Sequence, residues 1–514
     1  MSIKPVCLIN PVSPFLLDER VFMSLGILKI ASVLERSGRP VEFLDLSGIV
    51  NYQDALIDYL SYTNCTTFGL TATTPQFPSV VKILKIIRDR IKGSKVILGG
   101  PHVTLVNAAY KREMVERTGG RALKSYSQLI ELFDVVVAGD GEEAIFHALD
   151  PFSPKVIDAD DSKSPLWLSN SKFDDSPFPA RHLVDVDSYR YFINGERALS
   201  LIAQLGCPYN CGFCGGRDSS AFRRIRQRTS KNIVEEIVQL HREYGIKGFM
   251  MYDDELNVNP KLIEFLNLAS DAQNEIGVDF QMRGFIKSNL FTDEQAEALF
   301  RAGFRWILVG FESGSPKILK NINKRATRDE NNRCMEIANR HGLKVKALMS
   351  VGHPGESENS IKATRDWLGE VKPDDFDVTI ITTYPGSPYF DHAVPHPTEK
   401  KIWVYTYGGD NLYSTELDYA NVQDYYKGDP QGGYKSYVYT DYLTAEDLVS
   451  LRDKMEEDVR DQLDIQFNPS SPAIRYEHSM GQSGPLPDYI LRTAMDGSNN
   501  RNLNPKPQVG SRGG

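Results

Sequence analysis

The sequence predicts an α/β protein: an amino-terminal doubly wound parallel sheet, then a partial (β/α)6 barrel of the TIM type, then a mixed carboxy-terminal region. Two patterns carry this reading. Residues 1–150 alternate short apolar runs with amphipathic stretches, as a parallel sheet flanked by helices does. From Leu199 the alternation resumes as six strand and helix units in about 190 residues, fewer than the roughly 250 that a complete eightfold barrel takes.

In the first domain, residues 1–150, Val6 to Asn10 reads as the opening strand. Ser24 to Arg36 has helical spacing, with Leu25, Leu28, Ala31 and Leu34 near one face and Gly38 suited to a left-handed cap. Further strands are expected at Val41 to Leu46, Thr67 to Thr71, Lys95 to Leu98 and Val135 to Ala138, with helices at Pro78 to Lys92 and Ser127 to Leu132. Residues 151–198 carry prolines at 151, 154, 165, 177 and 179 and predict a linker, because proline lacks the amide hydrogen that regular structure needs. The barrel, residues 199–393, takes strands at Leu199 to Gln204, Gly248 to Tyr252, Asp279 to Arg283, Trp306 to Phe311, Val345 to Val351 and Val378 to Thr382. Helices at Lys231 to Tyr244, Pro260 to Ile276, Thr292 to Ala302, Arg328 to His341 and Glu358 to Val371 separate them. Residues 394–495 are tyrosine-rich and broken by glycine, are expected to cover the barrel mouth, and contain a charged amphipathic helix at Ala445 to Leu463. Residues 496–514, rich in Asn, Gly, Pro and Arg, are expected to be disordered.

The chain has 514 residues, 41% of them hydrophobic and 25% charged, enough for two or three domains with their own cores. A net charge of -9 argues against a nucleic acid partner held by counterion release. No segment approaches the roughly 18 to 20 apolar residues of a membrane span, and the first residues lack the features of a signal peptide, so a cytoplasmic protein without a membrane span is expected. Six cysteines are too few for a disulfide framework. Cys7, Cys65 and Cys334 read as packing residues.

The other three, Cys207, Cys211 and Cys214, lie in the run Cys-Pro-Tyr-Asn-Cys-Gly-Phe-Cys, directly after an apolar strand. A structural zinc site wants four ligands, and no second Cys or His pair at zinc-finger spacing is present. Three thiolates on one short loop instead suit three irons of a [4Fe–4S] cluster, with the fourth iron left without a protein ligand. Gly206, Gly212, Gly215 and Gly216 let the backbone curl around such a cube. In parallel barrels, reactive groups sit at the carboxyl ends of strands, where this loop falls.

This Cys-x3-Cys-x2-Cys loop after a first barrel strand resembles the radical SAM superfamily over Leu199 to Ala393. The resemblance implies that S-adenosyl-L-methionine (SAM) binds the open iron and that an electron from the cluster cleaves it to a 5'-deoxyadenosyl radical. It also implies an electron donor such as flavodoxin or ferredoxin. Residues expected around SAM are Phe213, Gly215, Gly216, Asp254, Arg283, Glu312 and Ser313, at the loop or at apparent strand ends. Arg283 suits the methionine carboxylate and Glu312 the ribose or ammonium.

In the first domain, small and glycine residues stand at the strand ends: Ser13, then Thr73 and Thr74, then Gly99, Gly100, Pro101 and His102, then Gly139, Gly141 and Glu142. None forms the Gly-x-Gly-x-x-Gly turn of a nicotinamide site, while the periodicity leaves flavin mononucleotide open. The Gly-Gly-Pro-His-Val-Thr and Gly-Asp-Gly-Glu-Glu turns, and the Pro-Phe-Pro-Ala-Arg run before the barrel, resemble the cobalamin-binding domain that precedes many radical SAM domains. The resemblance implies that these ten residues surround cobalamin, with Thr73, Thr74, Gly99 and Gly100 along its nucleotide tail. The Asp-x-His-x-x-Gly motif that places histidine on cobalt elsewhere is absent, so cobalt is expected to carry no protein imidazole.

Together the two resemblances imply a cobalamin-dependent radical SAM enzyme, a C-methyltransferase acting on an unactivated carbon of a small molecule through methylcobalamin. A radical cyclization or rearrangement without methyl transfer, and a non-enzymatic cobalamin carrier or sensor with a vestigial barrel, are the alternatives. No residue is assigned to catalysis from the sequence.

Overall fold

The computed structural model describes residues 4–13, 19–117, 120–426 and 433–465. The tail at 496–514, and the part of the carboxy-terminal region beyond 465, lie outside the described residues.

The first sheet has six strands: β1 (Val6–Asn10), β2 (Val41–Asp45), β3 (Thr67–Thr71), β4 (Lys95–Gly99), β5 (Val135–Gly139) and β6 (Val156–Ala159). Their order is β2-β1-β3-β4-β5-β6, all parallel. The order reverses between β1 and β3, and a doubly wound sheet opens its ligand crevice at that point, outside the carboxyl ends. The strands read as near-continuous apolar runs because helices bury both faces.

Three helices of this domain were not legible as helices: Tyr52–Tyr62, Pro101–Glu116 and Gly141–Ala148. The Gly-Gly-Pro turn opens the second of them. Pro101 occupies the first helical turn, where its missing amide hydrogen costs nothing, and Gly100 at φ 95° supplies the sharp entry.

The linker expected at 151–198 is corrected by the structure. It contributes β6 to the first sheet and, as β7 (Tyr191–Ile193), an antiparallel edge strand to the second. Tyr189 and Tyr191 are buried there. Prolines punctuate these short strands without preventing them, because each strand forms between prolines.

The second sheet is a curled half-barrel of β8 (Glu196–Leu201), then, past a short pair β9 (Gln204–Leu205) and β10 (Arg226–Gln227), β11 (Gly248–Met251), β12 (Gln281–Phe285), β13 (Phe304–Glu312), β14 (Lys344–Val351) and β15 (Asp375–Ile380). Strand order is β15-β14-β13-β12-β11-β8-β7, so the six expected parallel strands are present. Two apolar layers form. Helix-facing side chains such as Phe249, Met251, Ile307 and Val309 pack outward, and Met250, Trp306 and Leu308 fill the lumen with Tyr191.

An open half-barrel leaves β15 as an edge, and unpaired edges are a liability. The helix Ala445–Leu463 covers it with side chains that take the place of a neighbouring strand. Arg452 Nε donates to the Val378 carbonyl at 2.7 Å, Arg460 Nη2 to the Phe376 carbonyl at 2.6 Å, and the Val378 amide donates to Glu456 at 2.7 Å. The region before this helix forms an antiparallel sheet of β16 (Val394–Pro395), β17 (Ile402–Tyr407), β18 (Asp410–Thr415) and β19 (Val438–Thr440). No helix among the described residues is long and apolar enough to cross a membrane.

Candidate functional site

The carboxyl ends of the two sheets face each other across two adjoining cavities. The smaller, of about 330 Å³, runs along the first sheet beside Leu8, Gly69, Ile97 and Gly99, and under Gly26 and Ile30 of the helix Leu25–Arg36. It reaches Gly206, Tyr252 and Asp254 of the barrel. The larger, of about 750 Å³, lies between the domains and is lined by Ser13, Thr73, Thr74 and Gln76 on one side and by Ile202, Glu312, Leu348 and Tyr384 on the other. Gly26, Thr71, Pro101 and Tyr252 line both.

Of the ten residues expected around a corrinoid, nine line these cavities. Gly99, Gly100, Pro101, Gly139, Gly141 and Glu142 line the smaller, and Ser13, Thr73 and Thr74, with Pro101 again, the larger. Two glycines are required by space. A Cβ on Gly100 would stand 2.5 Å from Thr71 Oγ1, and one on Gly139, at φ 85°, 2.5 Å from the Ala159 carbonyl carbon. His102 is the exception and is corrected. Its ring is 1% exposed, stacks on Phe77 at 4.3 Å, hydrogen-bonds Thr74 Oγ1 through Nδ1 at 3.1 Å, and lines neither cavity. Burial lowers its pKa to about 3, so it is a neutral core residue. Among the described residues no histidine lines either cavity.

The cysteine loop follows β9 at the barrel rim. Gly206, at φ 87°, presses against the Arg224 carbonyl, where a Cβ would approach to 2.3 Å, and the Cys207 amide donates to the Phe222 carbonyl. Arg217, unforeseen from sequence, clamps the loop: its guanidinium donates to the carbonyls of Gly215 at 3.0 Å, Cys207 at 3.1 Å and Tyr209 at 2.6 Å. Burial pushes the Cys207 and Cys214 thiols up, Cys214 to about 12, against the pull of Arg217. A metal group that takes thiolates has to supply that difference, and three soft sulfur donors on one tight loop fit an iron–sulfur cluster. Cys7, Cys65 and Cys334 are buried packing residues.

The residues expected around SAM divide. Asp254 opens onto the smaller cavity and Glu312 onto the larger. Arg283 is corrected: β12 continues two residues further than expected, so Arg283 sits inside the strand, points into the lumen over Trp306 at 5.0 Å, and lines neither cavity. Ser313 is corrected as well, its hydroxyl being taken up by Thr364 at 2.9 Å and by the Ser315 amide. Phe213 packs on Ile318, Leu319 and Ile322 and meets the edge of His353 at 5.5 Å. Gly215 and Gly216 make room for protein neighbours, Tyr384 and Leu105 for the first and Phe222 for the second. Asp253 is structural, accepting the amides of Ala203 and Gln204.

A charged group beside the cysteines was missed. Lys324 donates to Glu312 Oε1 at 3.0 Å, Lys287 donates to the Lys324 carbonyl at 2.9 Å and stands 4.2 Å over the Tyr209 ring. Burial disfavours the Lys324 ammonium, yet Glu312, Cys211 and Glu255 raise its pKa above the ordinary value. Burial also lifts Glu255 to about 7. Lys287 had a signal, since it follows a strand end; Lys324 had none. Glu312 itself adopts φ 66°, a conformation a non-glycine residue takes at a cost of order 1–3 kcal/mol, and such strain clusters at functional sites.

Residues 201–368 match the model of the Radical SAM superfamily, so the chain carries a radical SAM domain. It is 27% identical over 387 residues to an uncharacterized methyltransferase of Pyrococcus horikoshii, covering 72% of this chain and 78% of that one. It is 24% identical over 375 residues to the anaerobic magnesium-protoporphyrin IX monomethyl ester cyclase of Cereibacter sphaeroides, covering 68% and 58%. It shares the fold of the radical SAM methyltransferase TsrM from Kitasatospora setae, a structure with cobalamin and a [4Fe–4S] cluster bound, with a TM-score of 0.59 at 17% identity over 80% of this chain and 82% of that one.

Proposed function

We propose that the chain is a cobalamin-dependent radical SAM methyltransferase that modifies an unactivated carbon of a small-molecule substrate. The observation that carries the reading is the pair of adjoining cavities between the carboxyl ends of the two sheets, with the cysteine loop at their barrel-side rim. When bound, the cluster would supply the electron that cleaves SAM, and cobalamin the methyl group.

The chain's own residues do the rest. Cys207, Cys211 and Cys214 would hold three irons, with Arg217 fixing the loop. Glu312 is an acceptor for ribose hydroxyls or an ammonium on the barrel side. The apolar slot along Leu8, Gly69 and Ile97 suits a buried nucleotide tail, and among the described residues no histidine lines either cavity to serve as a cobalt ligand. Tyr252, Tyr384 and Tyr426 wall the larger cavity and would help to keep water from a reactive intermediate. A low-potential donor of the flavodoxin or ferredoxin kind and a cytoplasmic setting complete the reading.

The test is anaerobic reconstitution with iron, sulfide and cobalamin, followed by absorbance and product mass spectrometry. The reading requires both a cluster and a corrinoid in the purified protein, and a product heavier by one methylene. The cyclase relative favours a second reading, ring formation without methyl transfer. An unchanged carbon count in the product would select it.

A further inference from the structure

We propose that Tyr389, His353 and Ser350 form a directed positioning relay that orients the Glu312 carboxylate as a hydrogen-bond acceptor at the SAM side of the cavity. The inference rests on the reading of Glu312 as a SAM contact.

The geometry is a single file. Tyr389 Oη lies 3.2 Å from His353 Nδ1, His353 Nε2 lies 2.8 Å from Ser350 Oγ, and Ser350 Oγ lies 2.7 Å from Glu312 Oε2. Tyr389, Ser350 and His353 are 1%, 5% and 0% exposed, so water does not compete along the chain. The direction of each proton follows from the acceptor end. The Ser350 hydroxyl donates to the Glu312 carboxylate. Ser350 Oγ therefore accepts from His353 Nε2–H. In a neutral imidazole the other nitrogen is then bare, so Nδ1 accepts from the Tyr389 hydroxyl. Every bond points toward Glu312, while Lys324 holds the other oxygen at 3.0 Å. A carboxylate has about four acceptor sites. Two are used by the protein, which leaves acceptor capacity for a ligand's hydroxyl or ammonium donors.

The relay also joins distant parts of the chain. Tyr389 lies in the helix Pro388–Asp391, after the last barrel strand. Its amide donates to the Gly212 carbonyl at 2.9 Å, within the cysteine loop, and its ring lies where a Cβ on Gly212 would stand only 2.2 Å away. The next residue, Phe390, accepts from Arg121 of the first domain at 2.6 Å. One short helix thus touches the cysteine loop, the first domain and, through two side chains, Glu312.

The experiment is anaerobic titration of SAM into the reconstituted protein by calorimetry, with the electron paramagnetic resonance spectrum of the reduced cluster before and after SAM. Tyr389→Phe keeps the ring against Gly212 and removes only the hydroxyl. It should weaken SAM binding about three- to tenfold with iron content unchanged, and Ser350→Ala should weaken it at least as much, each with an altered SAM-dependent spectral change. Wild-type SAM affinity and spectra in both variants would overturn the relay, as would loss of iron in Tyr389→Phe, which would make the tyrosine a support of the loop alone. Wild-type affinity in Glu312→Gln would instead overturn the underlying reading of Glu312, whatever the other two variants do.

Discussion

The carboxylate of Asp160 accepts the hydroxyl of Ser219 at 2.8 Å, fastening the end of β6 in the first sheet to the segment that follows Cys214. The same oxygen accepts the Ala221 amide at 2.7 Å. Nearby, Asp140 after β5 pairs with Arg226 of β10, which stacks on Trp167 at 4.4 Å. These two acids clamp the cysteine-bearing segment to the domain that lines the rest of the cavity.

Burial raises the Asp160 carboxyl from its ordinary 3.8 to about 6. A raised folded-state value means the folded chain holds the proton more tightly, so this group's contribution is fully present below about pH 4 and is lost as pH rises through 6. Asp160→Asn keeps the acceptor oxygen and cannot ionise. Thermal melts of the metal-free protein should show the variant gaining stability relative to wild type between pH 4 and 7, by an amount on the order of 2–3 kcal/mol. A wild-type slope in the variant would exclude Asp160 as the source.

Arg226 and Asp140 are both nearly buried, their side chains 4% and 8% exposed. Arg226→Met leaves the carboxylate uncompensated and should cost about 3–5 kcal/mol. Adding Asp140→Asn should return part of that loss, because the buried charge is then gone. Denaturant melts of the two variants decide it.

Gly212→Ala should reduce iron incorporation several-fold with little change in secondary structure by circular dichroism. The added methyl would meet the Tyr389 ring at 2.2 Å, and the loop must shift because that ring is itself buried. Iron and sulfide analysis after reconstitution measures the effect.

A substitution at Gly26 tests the proposed corrinoid site separately from the cysteine loop. A Cβ there meets nothing within 4 Å, and the residue lines both cavities within a helix. Gly26→Leu fills cavity space and improves helix propensity by roughly 0.5–1 kcal/mol. Corrinoid content by absorbance should fall at least tenfold while iron content and the melt stay at or above wild type. His102→Gln is expected to retain corrinoid, because that ring faces Phe77 and Thr74 and not the cavity.

Much of the architecture was legible because its signals are local. Strands buried on both faces are unbroken apolar runs, as in Val135 to Gly139, and the amphipathic helix at Ala445–Leu463 has its capping box at Thr444 and Asp447. The helix Pro101–Glu116 was hidden by its own start, where Gly-Gly-Pro is equally the signature of a turn. Strand β6 was hidden by the prolines around it. Arg283 was misplaced by a two-residue shift of one strand end, which moved it from the rim into the lumen.

The spacing of Cys207, Cys211 and Cys214 is a property of the chain read in order and was sufficient to indicate a three-cysteine cluster loop, while the glycine turns at the first sheet's strand ends pointed to a second cofactor domain only through their resemblance to a known family. Only the tertiary structure decided which residues meet: that His102 turns inward, that Lys324 reaches Glu312, and that Tyr389 stands behind the cysteine loop. Ser350 and Glu312 are 38 residues apart in sequence and 2.7 Å apart in space. Burial supplies the reason. A polar group sealed from water must find its partner wherever the fold brings one, and that partner's place in the sequence carries no local signature.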